Sequence, residues 1–288
     1  MRDYDVESAD GTVLRAWTND ADGPLVLLCN GLGTNPYCWP ALDDPGCGVR
    51  LVSWYHRGTG GSQRPADPDA IGMDAMVEDA VAVLDSTGED RAVLAGWSIG
   101  VNTSFELAVT HPERTRALFA VCGVPGNTFA TMLSPLRIPR PLRKPITVSA
   151  AKVLGAVGAP LSPVVRTVAG LPWAEQVTRY SGFLLPSADP EQVRMAMTEF
   201  VTTDVGWYFR LAAAMSDHPR VSLSRIGVPT TFVAGRYDLL AGHHEMRTAA
   251  ERIPDAKLVL LPSSHFASLE FPDQVHDELL DLVDRALP

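Results

Sequence analysis

Ser98 stands in Gly96-Trp97-Ser98-Ile99-Gly100, directly after the apolar run Ala92-Val93-Leu94-Ala95 and ahead of a segment of helical period. A serine at such a strand-to-helix turn presents its hydroxyl at the end of a sheet, where it can act as a nucleophile. The two glycines then have a purpose, because the turn needs unusual backbone angles and close helix–strand packing that side chains would obstruct. The helix start also brings positive dipole next to the serine oxygen. A serine that merely caps a helix is the plain alternative, and it leaves both glycines without a role.

A hydroxyl is almost fully protonated near neutrality, so a nucleophilic serine needs a base, and the base needs an orienting carboxylate. The chain has seven histidines. His265, in Pro262-Ser263-Ser264-His265-Phe266, follows the strand-like Leu258-Val259-Leu260-Leu261, which puts it on a loop at the same sheet end as Ser98. His111 and His276 fall in helical segments, His218 in a proline-rich middle region, and His243 and His244 open a helix. No H-E-x-x-H metal motif is present. Asp238, in Gly235-Arg236-Tyr237-Asp238, comes just after Thr231-Phe232-Val233-Ala234, again at a strand's carboxyl end, where open α/β sheets place their sites. A simple turn aspartate is the alternative there.

The elements that must position these residues follow an alternating pattern. Short β-branched apolar runs give strands over 12–17, 25–29, 50–55, 91–95 and 116–121, and longer segments of helical period lie between them. Met73, Met76, Val77, Ala80, Val81 and Leu84 recur at three- and four-residue spacing, predicting a helix over 73–86. A second helix is expected from Ser98 to about His111, ended by Pro112. From Gly126 to about Arg225 prolines abound and no run of strands is convincing. The alternation resumes with strands at 230–234 and 257–261 and helices at about 243–252 and 272–287. The domain expectation is a core of residues 1–124 and 228–288 with a helical cap over 125–227.

The chain resembles the α/β-hydrolase superfamily, in the branch with a helical cap after the sixth strand. The likeness rests on Asn30-Gly31-Leu32-Gly33, the Arg57-Gly58-Thr59-Gly60-Gly61-Ser62 turn, the Ser98 segment, the Asp238 turn and the His265 loop, and on the chain order Ser98, Asp238, His265. It covers nearly the whole chain outside the cap. It implies a mostly parallel sheet flanked by helices, and backbone N–H groups of Leu32 and Ile99 as oxyanion donors. Two positions depart from the pattern: Asn30 stands where relatives usually have His, and His56 where they usually have Asp. His56 is read as a structural turn residue, with a position at the mouth of the site as the alternative. No carboxylate follows the sixth strand in Val121-Cys122-Gly123-Val124, so the acid position used by some relatives is vacant and Asp238 gains weight.

The expected reaction is acyl transfer to water through Ser98, His265 and Asp238, without metal or organic cofactor. A carboxylic ester with an apolar acyl or alcohol part is the expected small-molecule substrate. Thioester, lactone, amide, carbon–carbon bond hydrolysis and perhydrolysis share the same triad, and a non-catalytic ligand-binding protein on this fold is the alternative of another class. Relatives that open epoxides or remove halogens use an aspartate nucleophile, which Ser98 disfavours. Trp97, Trp207, Tyr208 and Phe266 are the expected substrate contacts. Phe129, Met132, Leu133, Trp173, Phe183, Met195, Met197, Phe200 and Phe209 add apolar surface to the cap, and most are expected to pack its own helices. The basic cluster Arg137, Arg140, Arg143 and Lys144 reads as a solvated loop, with contact to an anionic substrate or surface as the alternative.

Bulk composition narrows the partners. With 24 Lys+Arg against 34 Asp+Glu, the formal charge of -10 repels nucleic acid and anionic lipid over most of the surface. The first residues carry acids and no apolar run, so a cytoplasmic location is expected. Residues 146–171 are broken by Gly155, Gly158, Pro160 and Pro163 and make a poor spanning helix, so stable membrane insertion is not expected. Cys29, Cys38, Cys47 and Cys122 show no C-x-x-C pair and read as reduced thiols, with a Cys38–Cys47 bridge left open. Oligomeric state is not legible.

Overall fold

The computed structural model describes residues 1–132 and 138–287. Strands β3 (Leu25–Cys29), β5 (Ala92–Trp97), β6 (Thr115–Val121) and β7 (Thr230–Gly235) are almost wholly buried, as runs covered on both faces must be. They pair in parallel at the centre of an eight-stranded sheet. On one side β4 (Arg50–Trp54) joins β3 in parallel, β2 (Val13–Thr18) pairs antiparallel with β4, and β1 (Arg2–Glu7) closes that edge antiparallel to β2. On the other side, β8 (Ala256–Leu261) pairs in parallel with β7.

Strand side chains alternate between two cores. Leu25, Leu27 and Cys29 join one, which also takes in Met76, Ala80 and Val83 of α1 (Met73–Asp85) and Phe105 of α2 (Gly100–Thr110). Val26 and Leu28 join the other, with Leu279, Leu282 and Val283 of a carboxyl-terminal helix at Pro272–Ala286. Between β6 and β7 every regular element in the described residues is helical: α3 (Arg140–Val157), α4 (Ser162–Ala169), α5 (Ala174–Arg179), α6 (Pro190–Phe200) and α7 (Val205–Ala214), with short 3-10 turns. Helix α3 lies along α7. After β7 come α8 (His243–Ala250), the short α9 (Ala267–Glu270) and the terminal helix α10 (Pro272–Ala286).

The sequence reading differs from the structure at a few places. It contains no strand over 2–7, because that edge strand is mostly exposed and its residues carry little apolar signal. The helix expected from Ser98 begins at Gly100, since Ser98 itself adopts a left-handed backbone. All four cysteines are free and buried, so the bridge left open between Cys38 and Cys47 is absent. Burial pushes the Cys38 thiol up to about 12, which leaves it protonated and inert.

The turn after β4 is held by a buried ion pair. The Arg57 side chain is fully enclosed, its Nη2 2.8 Å and its Nε 2.9 Å from the Asp79 carboxylate of α1, with Nη1 2.5 Å from Asp10. The Arg57 carbonyl accepts the Trp207 Nε1–H at 2.7 Å, tying the core turn to α7. Removing one partner of such a pair strands the other charge away from water. Asp79→Ala is therefore expected to lower stability by about 3–5 kcal/mol, read as a drop in the urea midpoint. Neighbouring His56 is buried with no partner for Nδ1 among the described residues, and burial lowers its pKa to about 4. A histidine neutral in the fold but protonated when unfolded contributes stability above pH 6.5 that is lost as pH falls toward 4. His56→Gln should flatten the stability profile between pH 6.5 and 4 by up to about one proton, or about 1.4 kcal/mol per pH unit, in urea titrations across that window.

Candidate active site

Ser98 sits between the end of β5 and the start of α2 with φ +56, a left-handed conformation that L residues resist. Its N–H donates to the Val121 carbonyl of β6 at 3.0 Å, and its carbonyl accepts the Val101 N–H at 3.2 Å. The flanking glycines let the chain pass. A Cβ on Gly100 would lie 1.8 Å from the Cys29 carbonyl oxygen of β3, and one on Gly96 would lie 2.7 Å from the Val101 Cα. No side chain fits where α2 approaches the sheet that closely.

His265 follows β8, and its Nε2 lies 2.8 Å from the half-buried Ser98 Oγ. Its Nδ1 lies 2.8 Å from Asp238 Oδ2. The other oxygen of that enclosed carboxylate accepts the N–H groups of Leu240 at 2.7 Å and Ala241 at 2.9 Å. A carboxylate so held keeps the ring proton on Nδ1 and leaves Nε2 free to accept the serine proton. The Trp97 Nε1–H donates to the His265 carbonyl at 3.0 Å, so the residue before Ser98 also fixes the loop that carries His265.

The Asn30 side chain does the corresponding work after β3. Its Oδ1 accepts the Gly31 N–H at 3.0 Å and the Trp39 Nε1–H at 3.1 Å, while Thr34 Oγ1 donates to the Gly31 carbonyl. The N–H groups of Leu32 and Ile99 donate to no protein acceptor among the described residues. Leu32 lines the same cavity as Ser98, and Ile99 follows Ser98 in the chain.

Glu270 was not singled out from the sequence. It is 4% exposed, and its carboxylate accepts Ser264 N–H at 2.8 Å, Ser264 Oγ–H at 2.5 Å and Leu185 N–H at 2.8 Å. It thereby joins the histidine loop to the segment between α5 and α6. The available signal was an acid inside the apolar run Phe266-Ala267-Ser268-Leu269-Glu270-Phe271, a setting where a carboxylate must find buried partners.

Ser98 and His265 open into a cavity of about 520 Å³ whose lining includes no Asp, Glu, Lys or Arg among the described residues. Trp97 and Phe266 line it, together with Trp173, Phe183, Met197, Phe200 and Tyr208 from the segment between β6 and β7. Trp207 does not. Its ring is buried in the core, with the Arg64 and Arg210 guanidiniums 4.4 Å and 5.3 Å from its centre, which corrects its expected substrate role. Phe129, Met132, Met195 and Phe209 also lie off the cavity wall. Leu133 and Arg137 fall outside the described residues. Of the expected basic loop, Arg140 pairs with Glu245 at 3.0 Å and Arg143 is buried with Nε on the Ile138 carbonyl, both within α3 rather than a loop.

No other histidine lines the cavity: His218 pairs with Glu106 at 3.2 Å, His111 lies 3.6 Å from Glu113, and the His243 and His244 rings stack 4.2 Å apart. No cluster of metal-ligating side chains occurs among the described residues. Because Gly100 meets backbone rather than a movable side chain, Gly100→Ala should cost about 3 kcal/mol or more, seen in urea unfolding.

The family model for the alpha/beta hydrolase fold matches residues 24–272. A proposed carbamate hydrolase, RutD, of Pseudomonas savastanoi pv. phaseolicola is 28% identical over 271 residues, which are 92% of this chain and 95% of that protein. A hydrolase from Pseudomonas aeruginosa PA01 superposes with a TM-score of 0.74 at 24% identity over 98% of each chain. The enol-lactonase from Burkholderia xenovorans LB400 does so with a TM-score of 0.73 at 22% identity, covering 98% of this chain and all of that one. At those identities the two structures speak for the fold alone. With the family model matched over most of its length, the chain belongs to the α/β-hydrolase fold family and is a hydrolase.

Proposed function

We propose that the chain is a serine hydrolase that cleaves neutral carboxylic esters with an apolar acyl or alcohol part. The observation that carries this reading is the Ser98–His265–Asp238 relay, with both contacts at 2.8 Å, opening into a large cavity that no Asp, Glu, Lys or Arg lines among the described residues. A charged substrate would be desolvated there without a partner. An apolar chain gains by burial, about 0.8 kcal/mol for each methylene.

In the proposed reaction His265 Nε2 takes the Ser98 proton as Oγ attacks the ester carbonyl. Charge builds on the carbonyl oxygen, facing the N–H groups of Leu32 and Ile99, and Asp238 stabilises the imidazolium. The imidazolium then protonates the leaving alcohol. Water, deprotonated by the same ring, attacks the acyl-enzyme and releases the acid and free Ser98. The inserted helices act as the cap that shapes the acyl site. The carbamate and lactone chemistries in the relatives' names concern acyl carbons open to the same attack. The apolar wall favours a hydrophobic ester over a small polar carbamate.

A fluorophosphonate probe should label the parent and leave Ser98→Ala unlabelled, with turnover falling by about 10⁴ or more. Equal labelling of both would remove Ser98 from the role. Across p-nitrophenyl esters, kcat/KM is expected to rise about tenfold or more from acetate to octanoate as methylenes enter the cavity. A flat series would exclude the apolar acyl site.

A further inference from the structure

The helices between β6 and β7 turn apolar side chains outward. On α3, Leu142, Ile146, Val153 and Val157 recur at intervals of four, seven and four residues, the spacing of one helix face, and all four are exposed. Val153 is 60% and Val157 58% exposed. The buried residues of this helix, Arg143 and Ala151, lie on another face. The outward stripe continues through Leu161 into α4, which is bent by 74° from α3 and exposes 59% of Val164. A contiguous apolar face of this kind marks a surface that something covers.

Two further observations identify the cover. Val164, Val168, Trp173 and Phe183 are both exposed and part of the cavity wall, so the outward apolar face is continuous with the space above Ser98. The charge of this segment is also opposite to that of the chain. Residues 138–180 contain six cations and one carboxylate, Glu175, in a protein whose net charge is -10. Arg143 is buried, and Arg140, Lys144 and Arg179 face carboxylates. Lys152, beside Val153, and Arg166, beside Val165, are exposed and have no carboxylate partner among the described residues. Arg166 reaches only the Val201 and Thr202 carbonyls, at 3.5 Å and 3.4 Å.

We propose that this face docks on an anionic lipid surface. The α3–α4 stripe seats among the upper acyl chains, Lys152 and Arg166 lie beside headgroup phosphates, and the cavity opens toward the apolar phase. An apolar helix face flanked by cations partitions in this way, in the plane of the interface and without spanning it. A second copy of the chain is a poorer cover, because twofold pairing sets Lys152 and Arg166 against their own kind. The docking is independent of Ser98 chemistry; only the delivery of substrate from the lipid rests on the ester-hydrolase reading.

The full chain carrying Ser98→Ala is floated with vesicles of phosphatidylcholine alone and of phosphatidylcholine with phosphatidylglycerol, at low salt. Partitioning should favour the anionic vesicles about tenfold or more, and fall about fivefold with Lys152→Ala. Val153→Asp with Val157→Asp should abolish it. Neither valine lines the cavity, so the same pair in the parent should leave hydrolysis of soluble p-nitrophenyl butyrate unchanged. Lys152→Ala, at an exposed position, keeps the test open if the double variant fails to fold. Equal or no binding to the two vesicles, or binding indifferent to Lys152→Ala, overturns the proposal. So does a concentration-dependent dimer that the valine substitutions dissolve. Flotation of Ser98→Ala beside a parent that no fluorophosphonate labels would uphold the docking and sink the hydrolase reading.

Discussion

A serine held at φ +56 is the constraint around which this molecule is arranged. The left-handed conformation costs about 1–2 kcal/mol in an L residue, so the surroundings must hold it. The central sheet does so from both sides. Val121 of β6 accepts the Ser98 N–H, and β3 lies so close to Gly100 that its Cys29 carbonyl occupies the space of a side chain. The result is a hydroxyl lifted clear of the sheet edge, with α2 opening beneath it. Every other part of the site is placed relative to that point.

The loops after β3, β7 and β8 reach the same edge and are fastened to one another by polar groups that touch no reacting atom. Trp97 links the serine turn to the histidine loop, and the Tyr237 N–H donates to the Ser263 carbonyl at 2.9 Å, linking the aspartate loop to it. Glu270 gathers three donors from two segments. Each bond is modest in isolation, but a buried carboxylate with satisfied oxygens admits few alternative arrangements. This is how loop residues can hold two hydrogen bonds of 2.8 Å in series.

The parallel core and the approach of Ser98, Asp238 and His265 were legible because both depend on local pattern: buried strands read as continuous apolar runs, and the site residues follow their carboxyl ends. The strand at Arg2–Glu7 was not legible, since an edge strand with exposed faces carries no such pattern. Trp207 was misread for a related reason. Both Trp207 and its neighbour Tyr208 lie on α7, and only the position of α7 over the Arg57 turn decides which ring meets the cavity. The Arg57–Asp79 pair joins residues 22 apart in sequence, and Glu270 bonds Leu185 across 85. Such partners leave no mark in spacing.

The inserted helices leave the sheet after Val121 and return at Thr230, and the two strands so connected are immediate neighbours, with Leu118 opposite Thr230. An excursion whose ends are already brought together by strand pairing can change length at little entropic expense, about 0.6 kcal/mol for each doubling. Register across the sheet is set by the strands themselves and does not depend on what the excursion contains. The core can therefore host a different set of helices, longer or shorter, without moving Ser98. The walls of the space above Ser98 can be exchanged in one piece, provided the new segment again supplies the donors that Leu185 gives to Glu270 and Trp207 gives to the Arg57 carbonyl.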